Sequence, residues 1–145
     1  MKKVDIVFVH PPYPNSEGIK QDGHLPSIGL LNLAAIAEKE GLKVAIIDCV
    51  ALQYTSERTV QEVIALDPRY VGLTAMTHNI TTAAYIAKNL KKRNKDIVTL
   101  LGGVHISSIP EETLEKFPDC FDLSILGEGE IIFRDTIRAL KNKGD

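Results

Sequence analysis

The chain has 145 residues, of which 44% are hydrophobic and 25% charged, and its 17 Lys and Arg against 19 Asp and Glu leave a formal charge of −2. That length supports one domain burying about 70% of its unfolded surface, and the composition excludes a disordered chain. The near-neutral balance, with a pI of about 6.1, excludes the basic stripe that a nucleic-acid partner requires. No apolar run reaches the roughly 18 residues of a membrane span, so no membrane partner is expected. Met1-Lys2-Lys3 has the charge of a signal-peptide start, but the apolar run that follows, residues 4–9, is short and carries Asp5. A cytoplasmic protein is expected. Two cysteines, Cys49 and Cys120, make no disulfide framework and alone hold neither an iron–sulfur cluster nor a Cys-rich zinc ion; their expected role is packing.

Residues 4–9 read as a strand buried on both faces, and the apolar runs at 44–47, 71–73, 97–101 and 123–126 repeat that signature. Helical patterns lie between them. Residues 28–40 are rich in Leu and Ala, and Gly41 is placed to end them. Val60, Val63 and Ile64 form a short apolar face. Ala83, Ile86, Ala87 and Leu90 follow the i, i+3, i+4, i+7 rule. Phe133, Ile137 and Leu140 build the last helix, with Arg138, Lys141 and Lys143 in its final turns, where cations suit the helix dipole. Strands alternating with helices imply a parallel sheet covered on both faces. Ligands of such sheets bind outside the carboxyl ends of the strands, so the loops after the strands are the candidate site.

The first of these loops opens with His10-Pro11-Pro12-Tyr13-Pro14 and runs to Ser27; three of the seven prolines stiffen its start. It reads as a rigid wall or lid over a ligand, or else as a plain surface loop. Thr74-Ala75-Met76-Thr77-His78-Asn79 follows the third strand, with hydroxyls that donate to a ligand or a side chain (Asn79 or Thr81) that caps the next helix. Gly102-Gly103-Val104-His105 follows the fourth, where paired glycines permit a close approach or a tight turn. Gly127-Glu128-Gly129-Glu130 follows the fifth and opens the last helix, its acids suited to the helix dipole or to a ligand amide or hydroxyl. All four histidines, His10, His24, His78 and His105, fall in loops at this edge, but no pair has the i, i+4 spacing of a helical zinc site, and no protein-held metal is expected. The G-x-G-x-x-G, Walker-A and G-x-S-x-G motifs are absent, as is an Asp closing the third strand.

Eight features in order are distinctive together: Pro11-Pro12-Tyr13-Pro14, Ile28-Gly29-Leu30-Leu31, Gly41, Asp48, Val71-Gly72-Leu73-Thr74, Gly102-Gly103-Val104-His105, Pro110-Glu111-Glu112 and Gly127-Glu128-Gly129-Glu130. With them the chain resembles, from Val4 to about Leu140, the N-terminal cobalamin-binding domain of cobalamin-dependent radical S-adenosylmethionine enzymes. The resemblance implies a flavodoxin-like, Rossmann-like doubly wound α/β domain with a five-stranded parallel sheet in the order 2-1-3-4-5. In the wider family the motifs D-x-H-x-x-G, S-x-L and G-G hold the cofactor. Thr74-Ala75-Met76 is similar to S-x-L and Gly102-Gly103 to G-G. By that likeness Thr74 bonds the dimethylbenzimidazole tail and the glycines let it pass, so that Gly103→Val blocks it. The expected cobalamin-binding set is Pro11, Pro12, Tyr13, Gly29, Thr74, Ala75, Met76, Thr77, His78, Gly102, Gly103, Val104, His105, Gly127, Glu128 and Gly129.

The first motif departs from the family. Gly29 and Gly41 fit the glycines that open and close its first helix, which places Pro26 where the axial histidine belongs and His24 where the aspartate belongs. The expectation is base-off cobalamin with no lower histidine, Pro11, Pro12 and Tyr13 packing on that face; His24 is the one alternative cobalt ligand. The family's C-x-x-x-C-x-x-C cluster motif is absent. The iron–sulfur cluster and S-adenosylmethionine are therefore expected only in a separate radical domain, in cis or in trans. Residues 1–145 are expected to be a single binding domain cut from a longer, methyltransferase-like protein, without activity alone. Two rival readings use the same edge: a nucleotide or nucleotide-sugar module, and an interaction domain with a decayed pocket.

Overall fold

The computed structural model describes residues 4–143, so the signal-like Met1-Lys2-Lys3 lies outside the described residues. Along the chain run β1 (Ile6–His10), α1 (Ile28–Lys39), β2 (Val44–Asp48), α2 (Ser56–Leu66), β3 (Tyr70–Thr74), α3 (Ile80–Arg93), β4 (Val98–Gly102), α4 (Val104–Ser108), α5 (Pro110–Lys116), β5 (Leu123–Ser124) and α6 (Gly129–Lys143). The sheet order is β2-β1-β3-β4-β5, with every ladder parallel. This is the flavodoxin-like α/β architecture that the alternation of strands and helices implies.

Successive strand residues face opposite layers. Val7, Val9, Val71, Leu73 and Leu101 pack with α2, α3 and Ile106 of α4. Ile6, Phe8, Tyr70 and Leu100 pack with Leu30, Ala34 and Ala37 of α1 and Phe133 and Ile137 of α6. The inner strands are apolar at most positions because both of their faces are covered, the exceptions being the buried Thr99 of β4 and the edge residues His10 and Thr74. Ser27 caps α1 by accepting from the Leu30 amide at 3.3 Å, and the chain turns at Gly41, where the Leu42 amide returns to the Ala37 carbonyl at 3.0 Å. Asp122 fastens the short β5: it takes the Thr99 amide and the Lys91 ammonium, each at 2.8 Å. Burial pushes the Asp122 carboxyl up, but the Lys91 and Thr99 bonds outweigh it and hold it below the usual carboxylate range. Both cysteines are buried and free; burial pushes the Cys49 thiol up to about 12, although Thr59 Oγ1 lies 3.0 Å from its sulfur.

The structure shifts several sequence boundaries. β1 begins at Ile6, not Val4, and β5 has two residues, with the Ile125 amide still bonded to the Leu101 carbonyl at 2.8 Å. Two short helices, α4 and α5, occupy a stretch in which apolar periodicity reveals none. Pro110 at the first position of α5, followed by Glu111 and Glu112, is the start signal that marks it. Among the described residues no helix is long and apolar enough to cross a membrane. Leu90 of α3 is fully buried in the layer shared with α2. Leu90→Ala is expected to cost about 2–5 kcal/mol of stability, read from the midpoint and slope of a urea unfolding curve.

Candidate functional site

The ladders leave the strands ending at one level: His10 is opposite Asp48, and Thr74 is opposite Gly102. Below that edge, on the α1/α6 side, lies a cavity of about 210 Å³. Gly29, Thr74, Gly102, Gly103, Gly127, Glu128 and Gly129, all expected from the sequence, line it. Phe8, Leu30, Leu33, Gly72, Leu100, Ile125 and Phe133 line it as well and are not expected from the sequence, and Glu130 of the fifth-strand loop motif joins them. A usable signal exists: Gly72 and Leu100 each stand two residues before an expected site residue, so strand alternation puts them on the same face, farther from the edge.

Gly103 is bound to its place by sterics. Its φ is +104°, and a Cβ there would lie 2.6 Å from the Ala75 carbonyl oxygen and 2.9 Å from Thr74 Oγ1. The Ala75 amide donates to the Gly102 carbonyl at 3.1 Å, and the His105 amide donates to the Ala75 carbonyl at 3.2 Å, so the two loops are stitched together beyond the strands. Ser107 Oγ donates to the Gly103 carbonyl at 2.9 Å and accepts from the Gly127 amide at 2.8 Å, tying in the third loop. A valine at Gly103 therefore strains the loops themselves. Gly102 is different: the nearest atom to a Cβ there is the Ile125 carbonyl oxygen at 3.9 Å, so a Cβ on this cavity-lining residue meets no collision.

The loop after β1 is a strap held at both ends. Pro11 and Pro12 are buried. Asn79 Nδ2 donates to the Pro11 carbonyl at 3.4 Å, and the Thr82 hydroxyl donates to the Pro12 carbonyl at 2.6 Å. Asn79 stands at the N-cap position but does not cap α3; its Oδ1 accepts from the Met76 amide at 2.8 Å, closing the turn. Tyr13 packs against His78, ring centres 4.7 Å apart. At the other end His24 Nε2 bonds Asp48 Oδ2 at 2.7 Å, while Asp48 Oδ1 accepts from the Val50 and Ala51 amides at 3.1 Å.

The histidines stand at the expected edge but not all in loops: His10 closes β1 and His105 sits in α4, where its Nδ1 lies 3.1 Å from Thr77 Oγ1. Ala75 and His105 are buried, whereas Met76, Thr77, His78 and Val104 lie on the exposed rim and line none of the cavity. Among the described residues no group of three His, Cys, Asp or Glu is placed to hold a metal ion. Among the described residues, buried His10 Nδ1 has no hydrogen-bond partner and lies 3.9 Å from Asp48 Oδ1. Burial pushes the His10 imidazole below its ordinary value; the Asp48 charge opposes this and His24 adds to it.

A cavity of about 150 Å³ takes a benzene ring, so about 210 Å³ has room for a fused bicyclic base. It is below the roughly 300 Å³ at which pockets take whole drug-sized ligands.

The B12 binding domain family matches residues 18–137, and the chain belongs to that family. An uncharacterized methyltransferase of Pyrococcus horikoshii is 33% identical over 140 residues, which are 97% of this chain and 30% of the relative. The anaerobic magnesium-protoporphyrin IX monomethyl ester cyclase of Rubrivivax gelatinosus is 29% identical over 136 residues, 93% of this chain and 24% of the relative. Among solved structures, the radical S-adenosylmethionine methyltransferase TsrM from Kitasatospora setae, with cobalamin and a 4Fe–4S cluster bound, superposes with a TM-score of 0.76 at 19% identity, covering 99% of this chain and 25% of that one. The cobalamin-dependent S-adenosylmethionine radical enzyme OxsB, with aqua-cobalamin and S-adenosylmethionine bound, gives 0.76 at 23% identity over 96% of this chain and 19% of that one. The fold of this B12-binding domain is thus shared with the cobalamin-dependent radical enzymes. The chain spans less than a third of the length of the curated relatives it matches.

Two outcomes follow from the strap. His24→Ala removes its outer fastening; loss of one charge-assisted bond is expected to speed tryptic cleavage after the exposed Lys20 about tenfold, followed by mass spectrometry. For His10, the folded chain holds the imidazole proton less readily than the unfolded chain. The unfolded state therefore binds more protons below the ordinary value of about 6.5, and stability falls as the pH drops below it. His10→Gln is expected to flatten that part of the stability profile between about pH 7 and 5, measured by urea unfolding.

Proposed function

We propose that the chain binds cobalamin across the carboxyl edge of its sheet, with the nucleotide tail in the cavity and the corrin presented to a radical S-adenosylmethionine catalytic domain. The observation that carries this is the cavity itself, entered past Gly102 and Gly103 and extending beneath the edge to Gly72. Membership of the B12-binding family and the fold shared with cobalamin-dependent radical enzymes support it. Thr74 offers the one side-chain hydroxyl among the cavity residues, suited to a base nitrogen or a ribose hydroxyl. Gly29 and Gly129, at the starts of α1 and α6, line the cavity without adding side chains to it.

Cobalamin supplies a cobalt centre that carries a methyl group or tunes radical chemistry. The chain's own part is to bind, orient and hold a face closed to solvent. Pro11, Pro12 and Tyr13 form a stiff wall beside the edge, anchored on Asn79 and Thr82. A base-off state without an axial histidine is favoured by two features. Pro26 stands where the family's histidine belongs, and His24 Nε2 is committed to Asp48. The radical domain, its cluster and S-adenosylmethionine belong to a longer protein of which residues 1–145 are one domain, a reading supported by the relatives' greater length.

Mixing the chain with hydroxocobalamin, removing free ligand on a desalting column and recording the visible spectrum tests the reading. Retained corrin with a base-off spectrum is expected. Gly102→Val, which puts a side chain in the cavity without a backbone collision, is expected to weaken retention at least about tenfold, equivalent to about 1.4 kcal/mol. Equal retention by the two proteins removes the tail from this cavity; failure of the parent chain to retain corrin overturns the reading.

A further inference from the structure

We propose that the cavity selects among corrinoids by the base at the tip of the nucleotide tail, preferring a benzimidazole-type base to a purine, with Gly72 setting the depth available to it. The inference rests on the reading that the tail enters this cavity.

The inner walls are hydrocarbon. Phe8, Leu33, Leu100 and Phe133 supply them, and Phe8 leans on Phe133 with ring centres 5.5 Å apart at 60°. The polar side chains of the lining come from the loop and helix-start positions: the Thr74 hydroxyl at the end of β3 and the carboxylates of Glu128 and Glu130. The backbone offers little more. Gly72 lies between two parallel neighbours, opposite Phe8 of β1 and Leu100 of β4, whose ladders use its amide and carbonyl. At the edge, the Gly102 carbonyl is taken by the Ala75 amide and the Gly103 carbonyl by Ser107.

A dimethylbenzimidazole buries ring carbons and methyl groups against such walls and keeps its polar nitrogens few. An adenine carries an exocyclic amine and additional ring nitrogens to the same depth, where they find no partner. One unmet polar group of this kind weakens binding by about tenfold or more, and apolar pockets discriminate between similar groups by about 10–100-fold.

Gly72 is what leaves the floor low. A Cβ at that position would lie 2.9 Å from Phe8 Cδ1 and 3.1 Å from Phe8 Cε1. The Phe8 ring fills the space a side chain would need, so any larger residue at 72 displaces that ring and takes up room in the cavity. Glycine inside a central strand weakens the strand, and close approach of another group is the usual return.

The test is titration of the chain with three corrinoids, followed by visible absorbance: cobalamin, the analogue carrying adenine as its lower base, and cobinamide, which has no nucleotide tail. Cobalamin is expected to bind at least about tenfold more tightly than the adenine analogue. Equal affinity for those two, both above cobinamide, overturns base selection while leaving the tail in the cavity. Equal affinity for all three overturns both the selection and the tail assignment. Gly72→Ala is expected to lower the ratio of cobalamin to cobinamide affinity about tenfold. Because cobinamide has no tail, that ratio separates a raised floor from a general loss of folded protein. An unchanged ratio removes Gly72 from the role.

Discussion

The parallel register of β1 with its two neighbours is the constraint on which the site rests. β1 lies between β2 and β3, and its ladders bring His10 level with Asp48 while β3 and β4 bring Thr74 level with Gly102. Loops that start at one level meet one another directly. That is how residues as far apart in sequence as Pro11 and Asn79, or His24 and Asp48, come within bonding distance. A one-residue slip of β3 or of β4 would exchange the two faces of that strand, turning Gly72 or Leu100 respectively to the α2/α3 side and away from the cavity.

The two layers of the domain divide the work. The α2/α3 layer carries the larger buried apolar cluster, from Val7 and Val9 to Leu90 and Ile97. The α1/α6 layer is packed at one end and hollow at the other. At the packed end Arg138 grips Glu40 with two bonds of 2.8 and 2.9 Å, and Lys141 reaches the Glu40 carbonyl at 2.6 Å. These bonds hold the C-terminal part of α6 to that of α1. Their N-terminal ends, where Gly29 and Gly129 stand, separate around the cavity. Packing and binding thus use the same two helices at opposite ends.

Much of this was legible in the sequence for physical reasons. Continuous apolar runs such as residues 4–9 betray strands covered on both faces, and the loop motifs announce the edge where small residues are needed. The cavity floor was not legible loop by loop. Gly72 reads as one residue of an apolar strand until its cross-strand neighbours Phe8 and Leu100 are known. α4 was missed because five residues are too few for a helical period, and Val104, His105 and Ile106 read equally well as loop. The sequence offers Asn79 or Thr81 as the cap of α3. Asn79 lies at the cap position but spends its side chain on the Met76 amide and the Pro11 carbonyl, a use that depends on a loop 68 residues away. The pairing of His24 with Asp48 spans 24 residues and has no local signature.

The strap after β1 carries a thermodynamic consequence. A free loop from residue 11 to 27 would lose conformational entropy whenever a ligand required it to lie still. Here Pro11 and Pro12 are fixed to α3, and His24 is fixed to β2. What remains to be ordered is the short span between the clamps, already stiffened by Pro14 and folded on itself by bonds from the Ser16 amide to Tyr13 and the Ile19 amide to Ser16. The cost of arranging the wall is met when the chain folds, so a molecule settling on the edge encounters a surface already in place.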